Sequence, residues 1–154
     1  MLFSQTAEYA LRAVVCLAGE PSRAQTTAGL ANITRVPTNY LSKLMQTLRK
    51  AGLVEARRGV GGGFTLSRPP GEITVLQVLE IVDPIQRIET CPLGLTSHGS
   101  NLCPMHRKLD DALAHLQKTF SESTIQDLLD TPGQSRPLCE TPPGPSVTLT
   151  TSGP

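Results

Sequence analysis

Four of the six residues in Arg58-Gly-Val-Gly-Gly-Gly63 are glycine, and so dense a run suits neither a helix interior nor the middle of a strand. It reads as a turn. The flanking stretches, Leu53-Val-Glu-Ala-Arg57 and Phe64-Thr-Leu-Ser67, are short and alternate between apolar and polar residues. Together they predict a β-hairpin with glycine at its tip. A nucleotide-binding loop is a poor match, because no helix opens directly after the glycines and no Gly-Lys-Ser/Thr accompanies them.

Upstream the periodicity is helical. Ala7, Ala10, Leu11, Val14, Leu17 and Ala18 recur at three- and four-residue steps and predict a helix over 4–19, with Ser4 or Thr6 as its cap. Cys16 falls inside it and reads as a buried structural thiol. Glu8 and Arg12 form an i, i+4 pair on its polar side. Thr26 or Thr27 can cap a short second helix to about Asn32, followed by a turn at 34–36. Pro37 suits the first turn of a third helix running to Ala51. Leu41, Leu44, Met45 and Leu48 form its buried stripe, while Thr38, Asn39, Ser42, Lys43, Gln46, Arg49 and Lys50 face outward. Two helices joined by a tight turn and followed by a hairpin make a winged helix-turn-helix.

Charge gives this arrangement a partner. Residues 1–70 carry nine Lys/Arg against three Glu, a net +6, while residues 71–154 carry a net −5. A basic head of this kind is expected to meet double-stranded DNA. Thr38, Asn39, Ser42 and Gln46 are the candidates for reading base edges. Lys43, Arg49, Arg57 and Arg58 are candidates for holding phosphate, with Gly61 and Gly62 letting the backbone approach closely. Tyr40 could pack its ring in the core and turn its hydroxyl to phosphate. A winged helix serving only protein contacts is the rival reading, disfavoured by the +6 head and the arginines of the wing.

Pro69-Pro70-Gly71 interrupts the chain, and a fourth helix follows over 74–82. Then comes Cys91-Pro-Leu-Gly-Leu-Thr-Ser-His-Gly-Ser-Asn-Leu-Cys103-Pro-Met-His106, two thiols and an imidazole in one glycine-containing loop. Such donors suit zinc or iron–sulfur clusters, though a surface loop with idle thiols has the same spacing. A fifth helix over 104–120 places Met105, Leu109, Ala112, Leu113, Leu116 and Phe120 on one side, a candidate dimer seam. A short helix to about Leu129 ends the patterned region. From Thr131 the chain is rich in Pro, Gly, Ser and Thr and is expected to be disordered, with Cys139 a free thiol. The expected division is therefore a DNA-binding domain over 1–70, a linker helix, Cys loop and dimerisation helix over 71–130, and a tail over 131–154. The fold class is mainly α with a small β-hairpin wing.

No signal peptide and no membrane span is recognised, so the expected location is cytoplasmic, where cysteines serve as ligands or redox groups more than as disulfides. No Ser-His-Asp arrangement, Cys-x-x-Cys or nucleotide loop points to an enzyme, and an all-thiolate electron carrier would want four cysteines in the folded part.

The order of elements carries a resemblance. Ala7-Glu-Tyr-Ala-Leu-Arg-Ala13, Asn39-Tyr-Leu41, Leu48-Arg-Lys-Ala-Gly-Leu53, Arg58-Gly-Val-Gly-Gly-Gly-Phe64 and Glu72-Ile-Thr-Val-Leu-Gln-Val78 resemble the iron–sulfur winged-helix regulators of the IscR, NsrR and RirA type, the Rrf2 family. It covers about residues 1–130. It implies a homodimer crossed through the fifth helix on a palindromic operator, with the third helix in the major groove and the wing at the minor groove. It also implies a sensor in the loop after the fourth helix. The family's metal-binding members carry three cysteines there, and some add a histidine. Cys91, Cys103 and His106 match, but Ser97, beside His98, stands at the middle cysteine's place. A 2Fe–2S cluster would then need another ligand. Glu8, supplied by the partner subunit, matches an acidic ligand of some relatives, and His98 is an alternative. Zinc, a thiol switch and a cluster-free regulator remain open.

Overall fold

The computed structural model describes residues 3–95, 101–131 and 138. Ser97 and His98 of the loop, and Cys139 with most of the expected disordered tail, lie outside them.

Helix α1 (Gln5–Ala18) begins at Ser4, whose hydroxyl accepts the Ala7 N–H at 3.2 Å. Ser4, not Thr6, is therefore the cap. Its small residues Ala7, Ala10 and Ala13 are fully buried, which lets α1 run through the centre of the core beside Val14 and Leu17. Cys16 is buried there as well.

Helix α2 (Thr27–Thr34) starts at Thr26, whose hydroxyl accepts the Gly29 N–H at 3.1 Å. It runs two residues beyond the expected end. Arg35 takes a left-handed conformation (φ 59°), so the stop falls on a residue type that gives no sequence warning. Buried Thr34 bonds back to the Leu30 carbonyl at 2.6 Å. Helix α3 (Thr38–Lys50) opens one residue later than expected, with Pro37 just outside it. Its stripe Leu41, Leu44, Met45 and Leu48 is buried as the periodicity predicts.

The hairpin pairs β1 (Val54–Arg57) with β2 (Gly63–Leu66), antiparallel, Arg57 opposite Gly63. Gln25 adds a third edge that no pattern announces, exchanging both backbone hydrogen bonds with Phe64 (2.9 and 2.8 Å). This contact explains one glycine. Gly63 sits at φ +148°, and a Cβ there would lie 2.5 Å from the Gln25 carbonyl. Gly63→Ala should therefore break the bridge between wing and α2 and cost on the order of 3 kcal/mol in urea unfolding.

After a 3-10 turn at Pro70–Glu72, helix α4 (Val75–Val82) opens on a capping box between Thr74 and Gln77. Helix α5 (Pro104–Glu122) is the longest, and α6 (Ile125–Asp130) opens on a second capping box, Thr124 with Asp127. Backbone bonds Val75 N–H to Ser123 and Ile125 N–H to Ile73 (2.9 and 2.8 Å) join the starts of α4 and α6. One core results, and it continues across residue 70: Ile73, Val78, Leu79 and Ile125 are buried with Leu17, Leu41 and Leu53.

Candidate nucleic-acid interface and Cys/His loop

The exposed residues of α3 form a continuous polar face. Thr38, Asn39, Ser42, Lys43, Gln46 and Arg49 all lie at the surface, opposite the buried stripe. No side chain caps the helix start, so its first N–H groups remain available to an acceptor. Arg57, Arg58 and Gly61 of the wing are exposed, and Gly62 is half-buried. A Cβ on Gly62 would come within 2.5 Å of the Arg57 carbonyl, so the tip requires glycine there for its fold. Among the described residues Lys43, Arg49, Arg57 and Arg58 have no ion-pair partner, which leaves their charge for an outside anion.

Between the wing and the start of α2 lies a cleft of about 550 Å³ lined by Arg23, Thr26, Arg57, Gly59 and Gly61. Arg57 and Arg23, the latter paired with Glu20 at 3.3 Å, supply cations suited to a phosphate backbone. Sequence reasoning left out Arg23, because its distance from the wing closes only through the Gln25–Phe64 bridge. It also left out Val60, which stands fully exposed at the wing tip.

Two networks tie α1 to α3 and to the end of α2. Tyr40 bonds through its hydroxyl to Thr6, and its ring meets Tyr9 edge-on at 5.4 Å. Tyr40 is 37% exposed, so its ring is not packed in the core, and its hydroxyl is engaged by Thr6 at the surface. Arg12 pairs with Glu8, lies over the Tyr9 ring at 5.7 Å, and donates to the Thr34 carbonyl at 3.2 Å. The last bond satisfies an end carbonyl of α2 at the turn before α3. Glu8 is half-buried and engaged by Arg12. Among the described residues no group of three His, Cys, Asp or Glu is assembled for a metal, so within one chain Glu8 does not join the Cys loop.

Cys103 is the N-cap position of α5, and its sulfur lies 3.2 Å from His106 Nδ1. Two ligands of one tetrahedral ion are separated by about 3.5 Å at ordinary Zn–S and Zn–N lengths. The pair is close enough to become two ligands of one ion once the hydrogen bond between them opens. Cys91 is half-buried and is delivered by the segment after α4. There the Ile85 carbonyl accepts from Gln117 at 2.8 Å, and the Ile88 N–H donates to Asp110 at 2.9 Å. An extended run from Ile85 to Ile88 covers about 10 Å, and α5 rises about 10 Å between Asp110 and Gln117. The segment therefore runs antiparallel to α5 in matched steps. Cys91 follows three residues after Ile88, but among the described residues it is not assembled with Cys103 and His106 into a three-donor group.

Asp110 is the clamp on this segment. It takes Arg87 in a fork at 2.6 and 2.5 Å as well as the Ile88 N–H. These bonds, the Arg87 side chain first and the Ile88 backbone next, hold its carboxyl down at about 2. Because the folded value lies below the ordinary carboxylate value near 4, the clamp contributes in full above about pH 4 and is lost as the pH falls towards about 2. Asp110→Ala should release the segment at all pH values. The expected readout is faster amide exchange over residues 87–90, with the urea midpoint of the winged core little changed.

Helix α5 has no buried residue in a single chain. Phe120 turns inward onto Phe3, ring centres 5.5 Å apart, and Leu113 and Leu116 are half-buried. Met105 and Leu109 remain 65% and 43% exposed. A long amphipathic helix in that state has an unsatisfied apolar face. Among the described residues no helix is long and apolar enough to cross a membrane.

Comparison with known proteins agrees with this architecture. The family model Rrf2, described as an iron-dependent transcriptional regulator, matches residues 3–131. The regulator IscR of Cereibacter sphaeroides is 30% identical over 135 residues, covering 84% of this chain and 87% of its own. NsrR of Shouchella clausii is 30% identical over 138 residues, covering 84% and 89%. Among solved structures, CymR, the global cysteine regulator of B. subtilis, superposes with a TM-score of 0.70 at 24% identity, covering 83% of this chain and 95% of its own. IscR of T. potens also gives 0.70, at 22% identity, covering 84% and 86%. The chain belongs to the Rrf2 family of winged-helix transcriptional regulators.

Proposed function

We propose that the chain is a homodimeric DNA-binding regulator, most simply a repressor, whose affinity for a palindromic operator is set by a metal centre at Cys91, Cys103 and His106. The observation that carries the proposal is the Cys103–His106 pair at the first turn of α5, the helix that also bears the open apolar face. Residues 1–70 supply the DNA-reading head, 71–130 the sensor and dimer helix, and 131–154 a tail.

Within each head, Thr38, Asn39, Ser42 and Gln46 meet base edges, and Lys43, Arg49, Arg57 and Arg58 meet phosphate, with Gly61 and Gly62 at the minor groove. Met105 and Leu109 pack against a second copy, so α5 sets the separation of the two α3 helices. Half-sites on DNA repeat at about 34 Å, and a change of a few ångströms would misplace several phosphate contacts. A 2Fe–2S cluster would supply one-electron redox chemistry, and mixed sulfur, nitrogen and carboxylate ligation raises its potential relative to an all-thiolate site. Cys91, Cys103 and His106 would hold it, with Glu8 of the second copy as the remaining donor. To serve, Glu8 must leave Arg12, and Arg12 also holds the turn before α3 through Thr34. Ser97 in the middle cysteine's place favours a second reading, zinc on the same three residues or a thiol switch.

Anaerobic purification followed by iron, sulfide and zinc analysis with a visible spectrum separates these readings. Equal iron and sulfide with visible absorbance supports the cluster, and zinc alone supports the second. Protein free of all three would refute a resident metal centre.

A further inference from the structure

A cleft of about 330 Å³ opens on the flank of α3, bounded by the start of α1 and the last turn of α4. Its inner part is apolar: Leu44 is buried, and Ile81 and Val82 are half-buried. Its outer part carries the Lys43 ammonium, the Thr47 hydroxyl and the hydroxyl pair of Thr6 and Tyr40. No Asp or Glu lines it, and Lys43 has no ion-pair partner among the described residues. Two carboxylates adjoin its lining residues in sequence, Asp83, which accepts the Ser4 N–H at 3.2 Å, and exposed Glu80, and neither lines the cleft. A cavity of this size lies at the small end of ligand sites, and such sites pair apolar walls with a few polar groups that fix orientation.

Uncompensated positive charge at one edge of an apolar cleft selects an anion with a hydrocarbon body. A lone ammonium with hydroxyls holds an anionic head as a point charge, and a carboxylate is a compact head that leaves its chain to the apolar walls. We propose that this cleft binds a small amphiphilic carboxylate, its head on Lys43 and the Thr6–Tyr40 pair and its chain against Leu44, Ile81 and Val82. Bound there, the ligand takes Lys43 from phosphate and places a negative charge beside α3, so it opposes DNA binding. That consequence rests on the DNA-binding reading above, whereas the binding site does not.

The probe is octanoate, titrated calorimetrically into the full chain without DNA, with butanoate, hexanoate, octanol and octylamine for comparison. One octanoate per chain is expected. Affinity should rise about fourfold for each methylene added between butanoate and octanoate, and octylamine should bind at least tenfold more weakly. Thr47→Phe, which blocks the mouth from α3, and Val82→Phe, which fills the floor from α4, should each abolish binding while unfolding as cooperatively as the parent. Lys43→Met should remove the preference for octanoate over octanol. Absence of saturable binding, equal binding of octylamine, or unchanged binding in both filled variants would overturn the site. With duplex DNA present, octanoate should weaken DNA binding by the parent and not by Val82→Phe. Octanoate binding with unchanged DNA affinity would overturn the antagonism, whereas failure to bind DNA even without octanoate would count against the regulator reading alone.

Discussion

Raising the salt from 50 to 200 mM is expected to weaken binding to duplex DNA by about 10⁴-fold. The magnitude follows from counterion release. Lys43, Arg49, Arg57 and Arg58 are exposed and without ion-pair partners among the described residues, so a dimer offers eight phosphate contacts. Eight contacts give a slope of about −7 in log K against log salt, and a fourfold rise in salt then costs about 10⁴. Replacing Arg57 and Arg58 together by Ala removes half of these contacts. The slope should fall to about −3.6 and the loss over the same range to about 10²-fold. Both arginines are exposed on the wing, so the fold should tolerate the change. Filter binding or fluorescence anisotropy at several salt concentrations reads both numbers. A flat salt dependence in the parent would identify the winged helix as a protein-interaction module.

The second large effect concerns the loop. Cys103→Ala, and separately His106→Ala, should reduce bound iron or zinc to background and make DNA affinity indifferent to metal loading. Coupling between a ligand site and a DNA site is commonly worth about 1–3 kcal/mol, a regulatory ratio of about 5- to 150-fold, and that ratio should fall to one. Stability should change little: Cys103 is half-buried and gives the helix no side-chain cap bond. Elemental analysis and DNA titration of the same sample measure both outcomes. Loss of metal with regulation intact would separate the loop from control of DNA binding.

Periodicity and turn chemistry made the winged helix legible before any coordinates, because each of its elements is specified locally. The stripe of α3, the glycine tip and a threonine cap at 26 or 27, which the structure resolves to Thr26, are all short-range signals. The features that escaped are long-range or rely on atypical residues. Gln25 becomes a strand edge through one bridge to Phe64, and a single residue has no alternation to read. Arg35 ends α2 in a conformation usually left to glycine or asparagine. Arg87 and Asp110 lie too far apart in the chain for any helical or strand spacing to link them, yet they hold the segment leading to Cys91. For the candidate site, the sequence placed Cys103 and His106 on one helical turn, and the structure shows them in contact. It offered Glu8 as a ligand, and the structure shows the Arg12 pairing that a ligand role must break.

The most direct test of the account is the affinity of the full chain for a duplex it has itself selected from random sequence. It should be measured anaerobically, with and without iron and sulfide, between 50 and 200 mM salt. The account predicts two steep salt curves separated by about 5- to 150-fold at every concentration. Superimposed curves across the whole range would contradict it.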